Sequence, residues 1–252
     1  MSSTTTGIEW TDATWNPMTG CTKLSDGCDH CYAYTLAQTK TRANYLKKTP
    51  VKDTARNRAE PFAPRFWPER LRQPISWRTP KRIFVNSMSD VFHAHFSLEM
   101  IQQVFAVMNE ATHHQFQVLT KRPERARRYA SKLTWTPNIW MGTSIETIDF
   151  AHRADALRGI EEAAVRFISA EPLLGSLNEL DLTGIHWVIG GGESGSGFRT
   201  VDVEWARGLR DRCEETETAF FWKQWGGYTP KSGGRDLDGR TWDQYPVELA
   251  PA

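Results

Sequence analysis

Three cysteines stand within eleven residues of the stretch CTKLSDGCDHCYAY: Cys21, Cys28 and Cys31. The only other cysteine is Cys213. A disulfide uses thiols in pairs and leaves one over. A structural zinc site takes four ligands in a tetrahedron. His30 sits too tightly between Cys28 and Cys31 to join them on one ion, so Asp26 or Asp29 would have to complete the set. An iron–sulfur cubane matches better, because it has four iron corners and takes thiolates as ligands. Three cysteines leave one iron open, and an open position on a metal centre is what binding and catalysis use. Gly20 and Gly27, each directly before a cysteine, allow the tight backbone that wrapping a cluster needs.

The elements after this loop alternate. Apolar runs at 82–88, 116–120, 138–144, 165–170, 185–191 and 219–224 read as strands. Helical periodicity covers Leu98 to Ala111 with Ser97 as N-cap, Pro123 to Leu133, Thr147 to Ile160, and Val203 to Glu217. A turn-rich segment spans Leu173 to Leu180, and one further strand fits between Ile8 and Pro17. Strand–helix alternation means a parallel sheet with helical crossovers. Six to seven such strands predict an α/β fold, a partial or complete TIM-type (β/α) barrel. The expected organisation is a disordered tail at 1–6, one barrel domain at 7–230 and a C-terminal extension at 231–252. Six prolines between Pro50 and Pro80 mark a basic, irregular excursion at about 47–80.

In such folds ligands bind at the C-terminal ends of the strands. There the chain places Asn86, Ser87, Ser89 and Asp90; Thr120, Lys121 and Arg122; Thr143, Ser144 and Glu146; Ser169 and Glu171; GGGESGSG at 190–197; and Lys223 with Gln224. Caps and solvent explain Ser and Asp at strand ends. They explain Glu146, Glu171, Glu193 and Lys223 less well. Lys121, Glu171 and Lys223 are therefore the candidate catalytic residues.

The net charge of +1 hides an asymmetry. Lys40 to Arg82 holds 13 Lys and Arg against three acids, and Lys121 to Lys132 holds six against one. Concentrated basic segments suit a polyanionic partner, although charge runs are also ordinary solvated faces. Arg122, Arg125, Arg127 and Arg128 are the candidate nucleic-acid contacts. Eleven tryptophans suit a large core, and aromatics beside basic patches can stack unpaired bases. No apolar run is long enough to span a bilayer, and no signal peptide is visible. A cytoplasmic protein with reduced thiols and no membrane partner is expected. Cys213 follows Trp205 and Leu209 at helical spacing and reads as core. His93 and His95, after Asp90, either line the site or are incidental.

TWNPMTGCTKLSDGCDHCYA, with the later SAEPLLG and GGESG, resembles the phage- and prophage-associated three-Cys-motif family, which is radical S-adenosylmethionine (radical SAM)-like. The likeness runs over residues 7–230. Cys28-Asp29-His30-Cys31 has the radical SAM spacing, whereas six residues rather than three separate Cys21 from Cys28. The resemblance implies a 4Fe-4S cluster on Cys21, Cys28 and Cys31, with S-adenosyl-L-methionine on the open iron. Reductive cleavage would give methionine and a 5′-deoxyadenosyl radical, and the protein would position that chemistry and exclude water. It implies adenine contacts from His30 and Tyr32, and methionine contacts from Asn86, Ser87, Ser89 or Asp90. Ser144 and Glu146 would meet the ribose, and Gly191, Gly192 and Glu193 would allow close backbone approach. It also implies a reductant such as flavodoxin or ferredoxin, and a partner protein of the three-Cys-motif-partner type. The expected function is a radical SAM enzyme acting on DNA, RNA or a nucleotide, in repair or modification. The alternatives are a non-catalytic nucleic-acid-binding protein with a structural zinc loop, or a radical enzyme acting on a peptide or small molecule.

Overall fold

A computed structural model describes residues 3–246. The first elements are β1 (Ala13–Trp15) and β2 (Met18–Thr19), then the cysteine loop, α1 (Tyr32–Gln38) and α2 (Arg42–Leu46). The excursion holds α3 (Ala55–Ala59) and β3 (Arg65–Phe66), which pairs antiparallel with β2. The alternating part follows as β4 (Arg82–Val85), α4 (Leu98–Glu110), β5 (Gln115–Thr120), α5 (Pro123–Tyr129), β6 (Ile139–Ser144), α6 (His152–Arg158), β7 (Val165–Ala170), β8 (Trp187–Gly191), α7 (Val203–Glu215) and β9 (Ala219–Gln224). Seven parallel strands form one sheet in the order β1-β4-β5-β6-β7-β8-β9. The barrel is thus a partial one, an α/β half-barrel. Both edges are covered, which blocks pairing with other chains. Ser3, inside the expected tail, exchanges backbone hydrogen bonds with Thr14 of β1. Asp243, in the C-terminal extension, bridges Phe221 of β9, and Trp242 and Leu237 are buried beside it. Residues 1–2 and 247–252 lie outside the described residues.

Several boundaries differ from the sequence-based expectation, each for a local reason. The strand expected at 82–88 stops at Val85, because Asn86 takes a left-handed φ of 60°. The helix expected from Thr147 starts as a single 3₁₀ turn at Ile148–Phe150 and runs through helical Ala151 into α6, which begins at His152. The helix expected to Leu133 tightens into a 3₁₀ turn after Tyr129. The excursion is ordered around Arg65, which is fully buried. Its guanidinium donates to the carbonyls of Lys48, Asn57, Glu60, Pro61 and Ala63 at 2.9–3.2 Å.

Alternation along each strand builds two buried faces. Ile83, Val85, Phe116, Val118, Ile139, Met141, Ile168, Val188, Phe220 and Trp222 belong to the main core, which includes the inward faces of the helices and buried Cys213. Phe84, Trp140, Val165, Phe167, Trp187, Ile189 and Phe221 fill the concave face with Trp10. Trp187 sits at the centre of this aromatic floor, 5.1–6.2 Å between ring centroids from Trp10, Trp140, Phe167, Phe221 and Tyr245. Further along the same face, two positions per step, the residues turn polar: Ser169 and Glu171 after Phe167, and Lys223 after Phe221. Truncating the central ring should be costly. Trp187→Ala is expected to lower the unfolding free energy by about 3–5 kcal/mol in chemical denaturation.

Candidate active site

The cysteine loop lies across the C-terminal ends of the strands and is held there by three polar clusters. The first centres on Glu146, two residues past β6 and fully buried. It accepts from Ser25 Oγ of the loop at 2.6 Å and from Arg153 Nη1 at 2.9 Å, and pairs with Lys121 at the end of β5. Gly27 is required by this contact, because a Cβ there would stand 2.5 Å from Glu146 Oε1. Arg153 also caps the Ser144 carbonyl at 2.8 Å.

The second cluster joins Cys21 to Asp90. Arg122 Nη1 lies 3.6 Å from Cys21 Sγ and 2.8 Å from Asp90 Oδ2. Asp90 also accepts from Thr120 Oγ1 at 2.7 Å and from the Lys121 N–H at 3.0 Å. His93 Nε2 bonds Thr22 Oγ1 at 2.9 Å, and burial with the Arg122 charge lowers its pKa to about 4.

In the third, His30 Nδ1 lies 2.9 Å from Glu193 Oε2, while Arg199 pairs with Glu193 at 2.6 Å and donates to the Asp26 carbonyl at 3.0 Å. Burial acts to raise the Glu193 carboxyl, but bonds from Arg199 and His30 hold it below the usual range. Lys223 and Glu171 pair at 2.9 Å above the aromatic floor, with Ser169 Oγ donating to Glu171 at 3.2 Å. A Cβ on Gly191 would stand 3.0 Å from Glu171, and one on Gly192 would collide with the Trp225 carbonyl, so both glycines are needed for close approach.

The clusters gather Cys21, Cys28, Cys31, His30, Asp90, Lys121, Arg122, Glu146 and Glu193 around one loop. Other sequence candidates are used inside the fold. Asn86 Oδ1 accepts the Met18 N–H, Ser87 bonds Asn16, and Ser89 Oγ donates to the Met18 carbonyl. Tyr32 donates to the Ser87 carbonyl. Arg125, expected to contact nucleic acid, instead spends its guanidinium on the carbonyls of Phe92, His93 and Phe96. Arg127 and Arg128 are exposed on the last turn of α5, with Arg127 packed over Gly159 at the end of α6. A crossover helix runs antiparallel to its strands, so this end faces the rim opposite the cysteines. Sequence reasoning missed Ser25, Arg153 and Arg199. The clue for Arg199 was an arginine six residues after Glu193 in one glycine-rich loop.

The three thiols line one cavity of about 670 Å³ with Tyr34, Phe62, Lys52 and Arg56. Burial, helped by the Asp90 charge and opposed by Arg122, pushes the Cys21 thiol up to about 12. Burial also raises Cys31, against the N–H groups of Tyr34 and Ala33. Cys28 differs. Burial would raise it too, but Lys121 and the N–H groups near Leu24 and Ser25 bring it below the ordinary thiol value. Among the described residues, no three His, Cys, Asp or Glu side chains are gathered closely enough to hold a single metal ion. No helix among them is long and apolar enough to cross a membrane.

The profile of a family described as "Protein of unknown function (DUF5131)" matches residues 5–246. No curated protein matches the chain. Among solved structures, a spore photoproduct lyase complexed with dinucleoside spore photoproduct is similar, with a TM-score of 0.49 and 12% identity, covering 81% of this chain and 62% of that chain. This chain therefore spans less than two thirds of that structure. A single-site mutant of spore photoproduct lyase gives a TM-score of 0.48 and 11% identity, covering 85% of this chain and 77% of that one.

The thiols should differ in reactivity in the metal-free protein, because the thiolate is the nucleophile. Iodoacetamide at about pH 8 is expected to modify Cys28 first, Cys21 and Cys31 more slowly, and Cys213 only on unfolding. Lys121→Met should slow Cys28 selectively, as read by peptide mass spectrometry over time.

Proposed function

The chain belongs to this family, whose description assigns no activity, and we propose from its own residues that it is a radical S-adenosylmethionine enzyme. The observation that carries the reading is the convergence of Cys21, Cys28 and Cys31 on one cavity at the C-terminal edge of a seven-stranded half-barrel. The donor set fits an iron–sulfur cubane: three thiols with a vacant fourth corner, beside two cations, Lys121 and Arg122, that offset thiolate charge. A cubane spreads its thiolates wider than one ion does, which suits thiols that share a cavity without closing on a single point.

In this reading Cys21, Cys28 and Cys31 hold the cluster. When bound, the cluster would supply the electron that cleaves S-adenosylmethionine to methionine and a 5′-deoxyadenosyl radical. Everything else is positioning. Glu146, Ser25 and Gly27 fix the height of the loop over β6. Arg122, anchored on Asp90, sets the Cys21 sulfur. Glu193 and Arg199 hold His30 and the backbone at Asp26, so the loop cannot swing out. Ser144, Gly191, Gly192 and the Lys223–Glu171 pair offer polar groups toward the concave face, where a cofactor with amino, carboxylate and hydroxyl groups finds donors and acceptors. The aromatic floor below them keeps water from entering from beneath. The substrate is a nucleic acid or nucleotide, and the electron comes from a flavodoxin or ferredoxin-type donor.

The zinc-loop alternative makes the opposite prediction from one preparation. Protein purified without oxygen and reconstituted with iron and sulfide should show the broad visible absorption of a cubane. With dithionite and S-adenosylmethionine it should form 5′-deoxyadenosine. Cys28→Ala should bring product to background, whereas Cys213→Ala should retain product and lower only thermal stability. Stoichiometric zinc with no capacity for iron would sink the proposal.

A further inference from the structure

The basic excursion is not uniformly available to a partner. Most of its cations already have partners. Arg58 pairs with Asp53, Lys48 with Glu69, Arg72 with Glu110 and Arg82 with Asp12. Arg65 is the buried strut, and Arg70 stacks on Trp67 at 3.7 Å. Lys47, Lys52, Arg56 and Arg78 are exposed and make no ion pair among the described residues, and of these Lys52 and Arg56 line the cavity that holds the three cysteines. Of the acids on that wall, Asp29 is ion-paired and Glu60 is held only by neutral donors. Glu60 Oε1 accepts from Gln38 at 2.7 Å and from the Phe62 N–H at 2.9 Å, and Asp29 pairs with Lys23. The cavity wall therefore presents two cations in no ion pair on ordered backbone, beside one carboxylate, Glu60, that is held by neutral donors. Arg65 fixes the carbonyls of residues 48 to 63, and Asn57 Nδ2 donates to the Lys52 carbonyl at 2.8 Å.

An aromatic ring lies on the same cavity. Tyr34 is 48% exposed although it belongs to α1, directly after Cys31. It is braced edge-to-face on buried Phe62, with ring centroids 5.6 Å apart. Exposed aromatics next to unpaired cations are the surface that binds unpaired bases: the ring stacks, and the cations take the phosphates. A peptide of acidic side chains would use the cations and leave the ring idle.

We propose that the excursion wall is a single-strand nucleic-acid site, in which Lys52 and Arg56 take backbone phosphate and Tyr34 stacks a base beside the cysteines. This names the substrate class for the reading above and rests on it for the chemistry, but the binding itself needs no cluster. The chemistry recognised is a base with its phosphate, from an unpaired strand or a free nucleotide.

The test is fluorescence anisotropy with the full-length, cluster-free protein and a labelled oligothymidylate of about 12 nucleotides, a length within the span of single-strand sites. The same-length duplex, unlabelled thymidine 5′-monophosphate and polyglutamate serve as competitors. Binding of the single strand should weaken at least about tenfold in the Lys52→Ala/Arg56→Ala double variant, and the salt slope should shrink by about one per cation lost. Tyr34→Ala should weaken binding with the slope unchanged. Arg127→Ala/Arg128→Ala, at the opposite rim, should bind as the parent does. Displacement by the monophosphate only at far higher concentration assigns the site to a strand, and displacement at similar concentration assigns it to a nucleotide. The inference is overturned by no binding, by preference for duplex, by equal displacement with polyglutamate, or by loss in the Arg127/Arg128 variant with Lys52 and Arg56 irrelevant. Loss of S-adenosylmethionine cleavage with strand binding intact removes the proposed activity alone. The reverse result removes this inference alone.

Discussion

The arrangement depends on one buried carboxylate. Glu146 is fully out of water, where an unpaired negative charge would cost several kcal/mol. It is tenable because Lys121, Arg153 and Ser25 surround it, and these come from three different parts of the chain. Lys121 follows β5, Arg153 rides on α6, and Ser25 belongs to the cysteine loop. Satisfying Glu146 therefore ties the loop to two strand ends and a helix at once. The longer gap between Cys21 and Cys28 follows from the same contact. Its six intervening residues include Ser25, which reaches Glu146, and Gly27, which lets the backbone rest on it.

The half-barrel sets this hub above a graded surface. Period-two alternation sends one set of side chains to the helices and the other to the concave face. Along that concave face aromatics give way to Ser169, Glu171 and Lys223 at the C-terminal ends. The gradient places the polar clusters that hold the cysteine loop at the C-terminal rim, above the rings of the concave face.

Much of the fold was legible because it rests on local periodicity. The strands at 165–170 and 219–224 and the Ser97 cap follow from pattern and cap chemistry alone. Where periodicity was interrupted by backbone conformation, as at Asn86, or the first turn tightened to 3₁₀, as at Ile148–Phe150, the boundaries moved. The candidate site was legible as a set of strand-end residues but not as a set of pairings. Glu146 was noticed, yet its partner Ser25 lies 121 residues away, and no spacing rule links positions so distant. The arginines divided in the same way. Sequence charge marks Arg125 and Lys52 equally, but three carbonyls occupy Arg125 while Lys52 stays open to the cavity. Charge density is a property of sequence, and availability of charge is a property of packing.

The central claim is that three thiolates of one loop hold a cubane with its fourth corner free. Anomalous diffraction at the iron edge, on crystals of the anaerobically reconstituted protein, tests it most directly. The account predicts iron in the cavity bonded to Cys21, Cys28 and Cys31, with one iron lacking any protein thiolate. A single tetrahedral metal closed by an aspartate or histidine of the loop, or iron bound away from the three sulfurs, would contradict it.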